Sequence, residues 1–125
     1  MSPDPSADLD RLRKIALALP GTAERLSHGS PGFHIEGSKF FAYFWHDHHG
    51  DGETIVIVKT TGIDEMDALI EAEPALYFKP PYLGPSGWIA IRTDAEGSDW
   101  DHIGDRVAQS WEMVAPRRLL HAGGR

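Results

Sequence analysis

The chain has 125 residues, 41% of them hydrophobic, and no cysteine. That length allows one compact domain with a single core, and the lack of thiols excludes disulfides, thiolate zinc sites and cysteine nucleophiles. Nineteen acidic residues against twelve lysines and arginines give a net charge of −7, so the average surface repels phosphate and anionic lipid. Because residues 1–6 lack the order of a secretory signal and no apolar stretch is long enough to cross a bilayer, we expect a cytoplasmic protein outside the membrane.

The first part of the chain predicts a helix followed by a hairpin. Apolar residues recur at helical spacing over 6–19, and a Pro-Gly pair ends the helix. A polar stretch at 22–31, with room for a short helical turn, comes next. Residues 33–36 alternate like a half-buried strand, and a Gly-Ser turn joins them to the aromatic segment 39–45, which is typical of two paired strands.

The second part of the chain alternates strands and helices around a proline-rich connection. Its polar segment 46–53 is expected to form a solvated loop. The elements predicted after it are a buried strand at 54–59, a helix from Ile63 to near Pro74, an extended connection over 75–87, a strand at 88–92 and a helix capped by Ser98 that ends at Ala115.

These elements predict the fold class. Consecutive strands joined by short loops cannot be parallel, so the sheet is expected to be antiparallel and packed with helices. The prediction is an α+β, two-layer single domain over 1–125, with the order roughly α-β-β-β-α-β-α. Its ordered core is expected at about 6–118, and 119–125 are expected to form a flexible tail.

Three sequence islands occur along the chain. They are Ser-His-Gly-Ser-Pro-Gly-Phe at 27–33, Pro-Tyr-Leu-Gly-Pro-Ser-Gly-Trp at 81–88 and Ser-Trp-Glu-Met-Val-Ala-Pro-Arg at 110–117. Together with Ala-Leu-Ala-Leu-Pro-Gly at 16–21 and Lys-Phe-Phe-Ala at 39–42, they make the chain resemble the MmcQ/YjbR family of small bacterial proteins from about residue 9 to 118. The resemblance implies a compact two-layer α+β domain with an antiparallel sheet.

The same resemblance implies DNA binding, because members of this family are often described as DNA-binding. The contacts expected on that hypothesis are Lys39, Lys59, Lys79, Arg92, Arg117 and Arg118. A chain of net charge −7 must then gather its cations on one face or act with a partner. Cations sharing a sheet face with aromatic rings would suit phosphates and stacked bases. The alternative is that the cations mark strand ends and that Trp88 belongs to the core.

A second hypothesis is a small-molecule or peptide pocket between the sheet and the loop 80–87. Its candidate residues are His28, Tyr82 and Trp88, since aromatic rings with a few polar groups line most ligand sites. His28 also adjoins Ser27, but neighbours in sequence seldom form a catalytic pair and no motif positions an acid to orient the imidazole. No catalytic residue is assigned, and we expect a binding domain rather than an enzyme.

A third hypothesis is a metal site in the loop 46–53. His46, His48 and His49 lie there among carboxylates, and these ligands suit zinc, nickel or copper. Polar runs with glycine between strands are ordinarily turns, which favours a solvated loop, and no cofactor is expected. The partners considered are therefore DNA, a small molecule or a protein, bound by a monomer or weak dimer.

Overall fold

The computed structural model describes residues 5–47, 50, 52–94 and 98–123. Its elements in chain order are α1 (Pro5–Ala16), β1 (Thr22–Ser27), β2 (Ser30–Ile35), β3 (Phe40–His46), β4 (Thr54–Lys59), α2 (Ile63–Ala72), β5 (Tyr77–Phe78), a 3-10 turn (Gly84–Ser86), β6 (Trp88–Arg92), α3 (Trp100–Val114) and α4 (Arg117–Gly123). None of the helices within these ranges is long and apolar enough to span a membrane.

The strands form one six-stranded sheet in the order β1-β2-β3-β4-β6-β5, and every neighbouring pair is antiparallel. The predicted α+β fold with an antiparallel sheet packed against helices is confirmed. Strands β1 and β5 and helix α4 are additional to the predicted order. Strand β1 was not predicted because its sequence, Thr-Ala-Glu-Arg-Leu-Ser, is polar and only partly buried, as suits an edge strand.

One side of the sheet, which we call the helix face, carries the main core. The helices contribute Leu12, Met66, Ile103 and Trp111, which are fully buried against strand residues such as Phe33, Phe41 and Val56. The Trp111 indole nitrogen donates to the Pro20 carbonyl oxygen at 3.1 Å. Because side chains alternate along a strand, the same strands send a second set of residues to the opposite side.

A buried serine joins α3 to the middle of the sheet. The Ser110 hydroxyl donates to the Phe41 carbonyl at 2.5 Å and accepts from the Lys59 backbone N–H at 3.0 Å. The side chain has no solvent exposure, so these two bonds satisfy groups that water cannot reach. Helix α3 is thereby fixed across β3 and β4.

A β-bulge in β3 decides which aromatic rings share a face. Gly32 and Phe33 pair with Tyr43 and Ala42, but His34 pairs with Phe40, so one extra residue is inserted in β3. Consequently Phe41 and Ala42 both join the helix-face core. Phe40 and Tyr43, an odd number of positions apart, then lie together on the opposite side.

The C-terminal segment departs from the flexible tail expected over 119–125. Residues 117–123 form helix α4, and Leu119 is buried in the helix-face core. A Cβ added to Gly21 would lie 2.7 Å from a Leu119 methyl carbon, so the glycine leaves the space that this leucine fills. Residues 124 and 125 lie outside the described ranges.

Candidate ligand-binding site

The side of the sheet opposite the helices, which we call the loop face, carries its own hydrophobic cluster. Trp45, Ile55, Ile57, Trp88 and Ala90 are its buried members, and Phe40, Tyr43, Phe78 and Leu83 pack against them. The register explains the grouping, because Tyr43 pairs with Ile57 and Ile57 with Ala90. Leu83 is the only one of these residues that is outside a strand.

Three aromatic rings form a continuous row across the loop face. The Phe40 and Tyr43 rings stack with centroids 5.1 Å apart, and Tyr43 and Trp88 lie 5.3 Å apart at 48°. The Arg25 guanidinium lies 4.8 Å from the Phe40 ring centroid, and the Lys59 ammonium lies 5.7 Å from that of Trp88. The row is therefore flanked by a cation at each end.

Gly32 in β2 allows this row to pack closely on the sheet. A Cβ added at this position would lie 2.6 Å from a Phe40 ring carbon and 3.1 Å from a Tyr43 ring carbon. The two rings thus lie directly over the backbone of β2. Arg25 on β1 pairs with Gly32, which in turn pairs with Tyr43, so no β2 side chain separates Arg25 from that tyrosine.

The segment 79–87 connects β5 to β6 and reaches over the loop face. Its backbone is bonded internally, with the Gly84 N–H donating to the Pro80 carbonyl at 3.0 Å and the Gly87 N–H donating to the Gly84 carbonyl at 2.9 Å. The buried Thr60 hydroxyl lies 2.6 Å from the Gly87 carbonyl. These bonds anchor the segment to the end of β4 and hold Leu83 over the sheet.

A cavity of about 410 Å³ lies between this segment, the β1–β2 turn and strand β3. It is lined by Ser27, His28, Tyr43, Trp45, Tyr82 and Leu83. Three of the six carry aromatic six-membered rings and a fourth carries an imidazole. The polar groups are a serine hydroxyl, an imidazole, two phenols and an indole N–H, which is the composition of a site for a small ligand.

Two cavity residues have left-handed backbone conformations. His28 has φ of 51° and Tyr82 has φ of 64°, and Asp47 is the one further non-glycine residue of positive φ within the described ranges. With Gly29 at φ 83°, His28 forms a two-residue hairpin turn of the kind that favours Asn-Gly. Both cavity residues therefore keep large side chains where glycine or asparagine would be less strained.

Electrostatics around the cavity involve Tyr43 and Arg25. Burial raises the pKa of the Tyr43 phenol above its usual value, and the positive charge of Arg25 opposes that rise. The phenol is therefore neutral near pH 7 and can donate a hydrogen bond.

The family model for YjbR matches residues 17–113. The chain belongs to the YjbR family. Deinococcus radiodurans protein DR2400, which carries the DUF419 domain, has a crystal structure similar to this one, with a TM-score of 0.71 and 17% sequence identity. The match covers 91% of this chain and 86% of that chain, and at this identity it shows the fold alone. No curated protein sequence matches the chain.

The matched segment of this YjbR domain includes all six cavity residues. His28 and Tyr82, two of the residues predicted for a ligand pocket, lie together on the cavity. Trp88, the third, is not part of the lining and instead packs against Tyr43 in the aromatic row.

The six basic residues predicted for DNA contact lie in separate parts of the YjbR domain. Lys39 is in the β2–β3 turn, Lys79 begins the loop segment, and Arg117 and Arg118 are on α4. Lys59 and Arg92 share the loop face, but Lys59 pairs with Trp88, which is four positions from Arg92 on β6, or about 13 Å. Arg92 lies over Phe78 and is also bonded to Glu53 and to the Pro74 and Ala75 carbonyls.

The loop 46–53, in which the metal site was predicted, has hydrogen bonds that close the β3–β4 connection. The His46 Nδ1 atom lies 2.8 Å from the Thr54 hydroxyl, and the Asp47 carboxylate accepts from the Gly52 N–H at 2.7 Å. His48 and His49 lie outside the described residues. Among the residues that are described, no three histidine, aspartate or glutamate side chains are close enough to hold a metal ion.

Sequence reasoning did not assign Tyr43, Trp45 and Leu83 to the pocket. One sequence feature could have pointed to two of them: Tyr43 and Trp45 are two positions apart in a predicted strand, which places them on one face of the sheet. Because β1 was not predicted, nothing indicated that this face adjoins the turn at His28.

Proposed function

We propose that this YjbR domain is a non-enzymatic binding domain that holds a small ligand with a planar aromatic ring in the loop-face cavity. The observation that carries the proposal is the lining, in which Tyr43, Trp45 and Tyr82 surround a space of about 410 Å³. Aromatic side chains bind planar groups by stacking and edge contacts. A cavity of this size suits a ligand of small-molecule dimensions.

Trp45 and Leu83 are held in place by the fold before any ligand binds, whereas His28 and Tyr82 are exposed, Tyr82 by 84%. Trp45 is only 8% exposed, and Leu83 packs into the loop-face cluster. The loop segment is bonded internally and to Thr60. Little side-chain freedom is then lost on binding at these positions, which favours affinity.

Binding without catalysis is supported by the chemistry of the lining. Its six residues include no carboxylate to orient the His28 imidazole, and Ser27 and His28 are adjacent on a tight turn. A serine nucleophile needs a base that approaches its hydroxyl and a group that orients the base. Ser27, His28 and the Tyr43 phenol are better suited to hydrogen bonds that orient a ligand.

The test is a thermal-shift screen with planar aromatic fragments, followed by two-dimensional NMR of the ¹⁵N-labelled protein. Bound fragments should raise the Tm and shift the Trp45 indole signal and the amides of 27–28 and 82–83. The Trp45 signal is assigned from the W45F variant. Fragments that bind elsewhere, or a screen in which none raises the Tm, would contradict the proposal.

DNA binding is the weaker candidate for this domain. The observation in its favour is that Arg25 and Lys59 flank a row of aromatic rings, an arrangement that suits single-stranded nucleic acid. The separation of the six predicted basic contacts and the net charge of −7 count against it. Anisotropy titrations of labelled single-stranded and duplex DNA at two salt concentrations would decide, since DNA binding must weaken steeply with salt.

A further inference from the structure

Arg25 differs from the other arginines that connect elements of this domain. Arg13, Arg92 and Arg106 each form an ion pair with a glutamate, at 2.8, 3.4 and 3.5 Å. Within the described residues no carboxylate lies within ion-pair distance of Arg25. Its guanidinium instead lies over the Phe40 ring at 4.8 Å. In a chain with nineteen acidic residues, an aromatic contact in place of an ion pair leaves the donors of this cation available.

The position of Arg25 connects it to the cavity in two directions. Along β1 it is two residues from Ser27, which lines the cavity, so the two side chains share a face about 7 Å apart. Across the sheet it is separated from Tyr43 only by Gly32, which has no side chain. Arg25 is not one of the six lining residues, but these pairings place it next to Ser27 and Tyr43, and its positive charge acts on the Tyr43 phenol.

The chemistry around Ser27 and Tyr43 favours a negative charge. The lining residues include no acid, and His28, Ser27 and Tyr43 all have donors that an anion can use. Glu24, the acidic neighbour of Arg25 on β1, is bonded to Arg13 through both carboxylate oxygens at 2.8 and 2.9 Å. A guanidinium is a planar fork of donors, which suits the two oxygens of a carboxylate or phosphate.

We propose that the ligand of this cavity is an anionic aromatic compound, with its ring between Trp45 and Tyr82 and its carboxylate or phosphate on Arg25. This inference rests on the proposed function and adds the charge of the ligand. It is distinct from DNA binding by distributed cations, because one guanidinium and one cavity recognise one anionic group.

The experiment compares matched pairs of probes that differ only in charge. Indole-3-acetate is paired with indole-3-acetamide, and adenosine 5′-monophosphate with adenosine, within a set of planar aromatic acids and phosphates and their neutral amides and alcohols. Affinities are measured by NMR titration and calorimetry with wild type, R25Q, R25K and R11Q. Arg11 is the matched control, since it is exposed and lies 5.9 Å from the ring centroid of Trp100, away from the cavity.

We expect the anionic member of a pair to bind about tenfold or more tightly than its neutral partner. R25Q should remove this difference and leave the neutral probe unchanged, R11Q should have no effect, and added salt should weaken only the anion. The pair showing the larger difference identifies carboxylate or phosphate as the preferred group, and partial retention by R25K would indicate that the fork of donors contributes beyond charge.

Two outcomes would contradict the inference while leaving the proposed function in place. One is equal affinity of the anionic and neutral probes in the wild type. The other is an R25Q variant that loses both equally, which would mean that Arg25 acts by supporting the Phe40 and Tyr43 rings. If no member of the set binds at all, the proposed function itself fails, and this inference with it.

Discussion

The two faces of the sheet use the same strands for different ends. On the helix face, Phe33, Val56 and Trp111 have no solvent exposure and their neighbours are other apolar side chains. On the loop face, rings of similar size are flanked by cations and leave a cavity beside Tyr43 and Trp45. Burial of aromatic residues therefore stabilises one face, whereas on the other face the same residue types form a site. The difference lies in the covering element, since helices fill the first face and a nine-residue loop covers part of the second.

Replacing a tryptophan on each face of the sheet should show the largest difference between the two faces. Trp111→Ala removes a fully buried ring and its bond to Pro20, and should lower the free energy of unfolding by about 3–5 kcal/mol. Trp45→Ala should lower it less, because the ring adjoins a cavity, while abolishing ligand binding. Urea denaturation measures both losses. If Trp111→Ala does not fold, Trp111→Phe, which keeps a smaller aromatic ring, serves as the second variant. Equal losses at the two sites would contradict the contrast.

Ser110→Ala tests whether a polar contact is as important to the helix face as its apolar packing. The Lys59 N–H loses its acceptor and the Phe41 carbonyl its donor in a site without solvent exposure. The expected decrease in the free energy of unfolding is about 2 kcal/mol. Ser110→Thr keeps the hydroxyl as a control. Hydrogen exchange should show faster opening of β3 and β4 in the alanine variant, and unchanged protection there would refute the role of this serine.

Glu65→Gln tests a weaker contribution to stability, the charge of a carboxylate on the helix side of the sheet. The Thr61 N–H donates to this carboxylate at 2.8 Å, and Arg106 is a further partner. These contacts, the bond from Thr61 first, lower the pKa of Glu65 below its usual value. A lowered carboxyl pKa stabilises the folded state above the unfolded pKa, and that stability is lost as the pH falls through the folded pKa.

Wild type should therefore lose stability more steeply than Glu65→Gln between about pH 5 and pH 3. At pH 7 the variant should be less stable by up to about 1 kcal/mol, an effect reduced by the partial exposure of the pair. Urea midpoints across this pH range measure the difference. Parallel pH curves for the two proteins would show that Glu65 does not contribute.

The smallest effects on stability, and of opposite sign, are expected at the two cavity residues of positive φ. His28→Asn places Asn-Gly in the β1–β2 turn, and Tyr82→Gly relieves the strain at φ 64°. Each should leave the free energy of unfolding unchanged or raise it by up to about 1 kcal/mol, with the Tm unchanged or higher. Each should also weaken the binding of an aromatic fragment. Asp47→Asn, at φ 50° outside the cavity, is the matched control and should leave binding intact. Loss of stability in both cavity variants would mean that these side chains support the fold.

Sequence periodicity predicts the helix face well and the loop face only in part. The apolar runs at 54–59 and 88–92 and the helical spacing of Ile103, Val107 and Trp111 can be recognised from local pattern alone. The cavity depends on contacts between segments far apart in the chain. His28 and Tyr82 could be named from their Gly- and Pro-rich islands, but Tyr43 and Trp45 could not be joined to them without β1.

The relation of Arg25 to the cavity could not be predicted from local sequence pattern either. In the sequence it is one of twelve lysines and arginines, and the strand that carries it has no clear apolar alternation. Its relation to the cavity depends on the register of β1 with β2 and of β2 with β3. No local pattern encodes those two registers, so pairing across three strands had to be observed.

The bulge in β3 gives this strand an unusual tolerance to a change of length. Phe40 shares a face with Tyr43, three positions away, only because one additional residue lies between the two regular stretches of β3 pairing. Loss of the codon for Phe41 would restore simple alternation and leave Phe40 and Tyr43 together on the loop face. Arg25 would keep the ring on which its guanidinium lies, and the helix-face core would lose one phenylalanine. Among descendants of this sequence, loss of one residue should therefore be tolerated better at the bulge than elsewhere in β3.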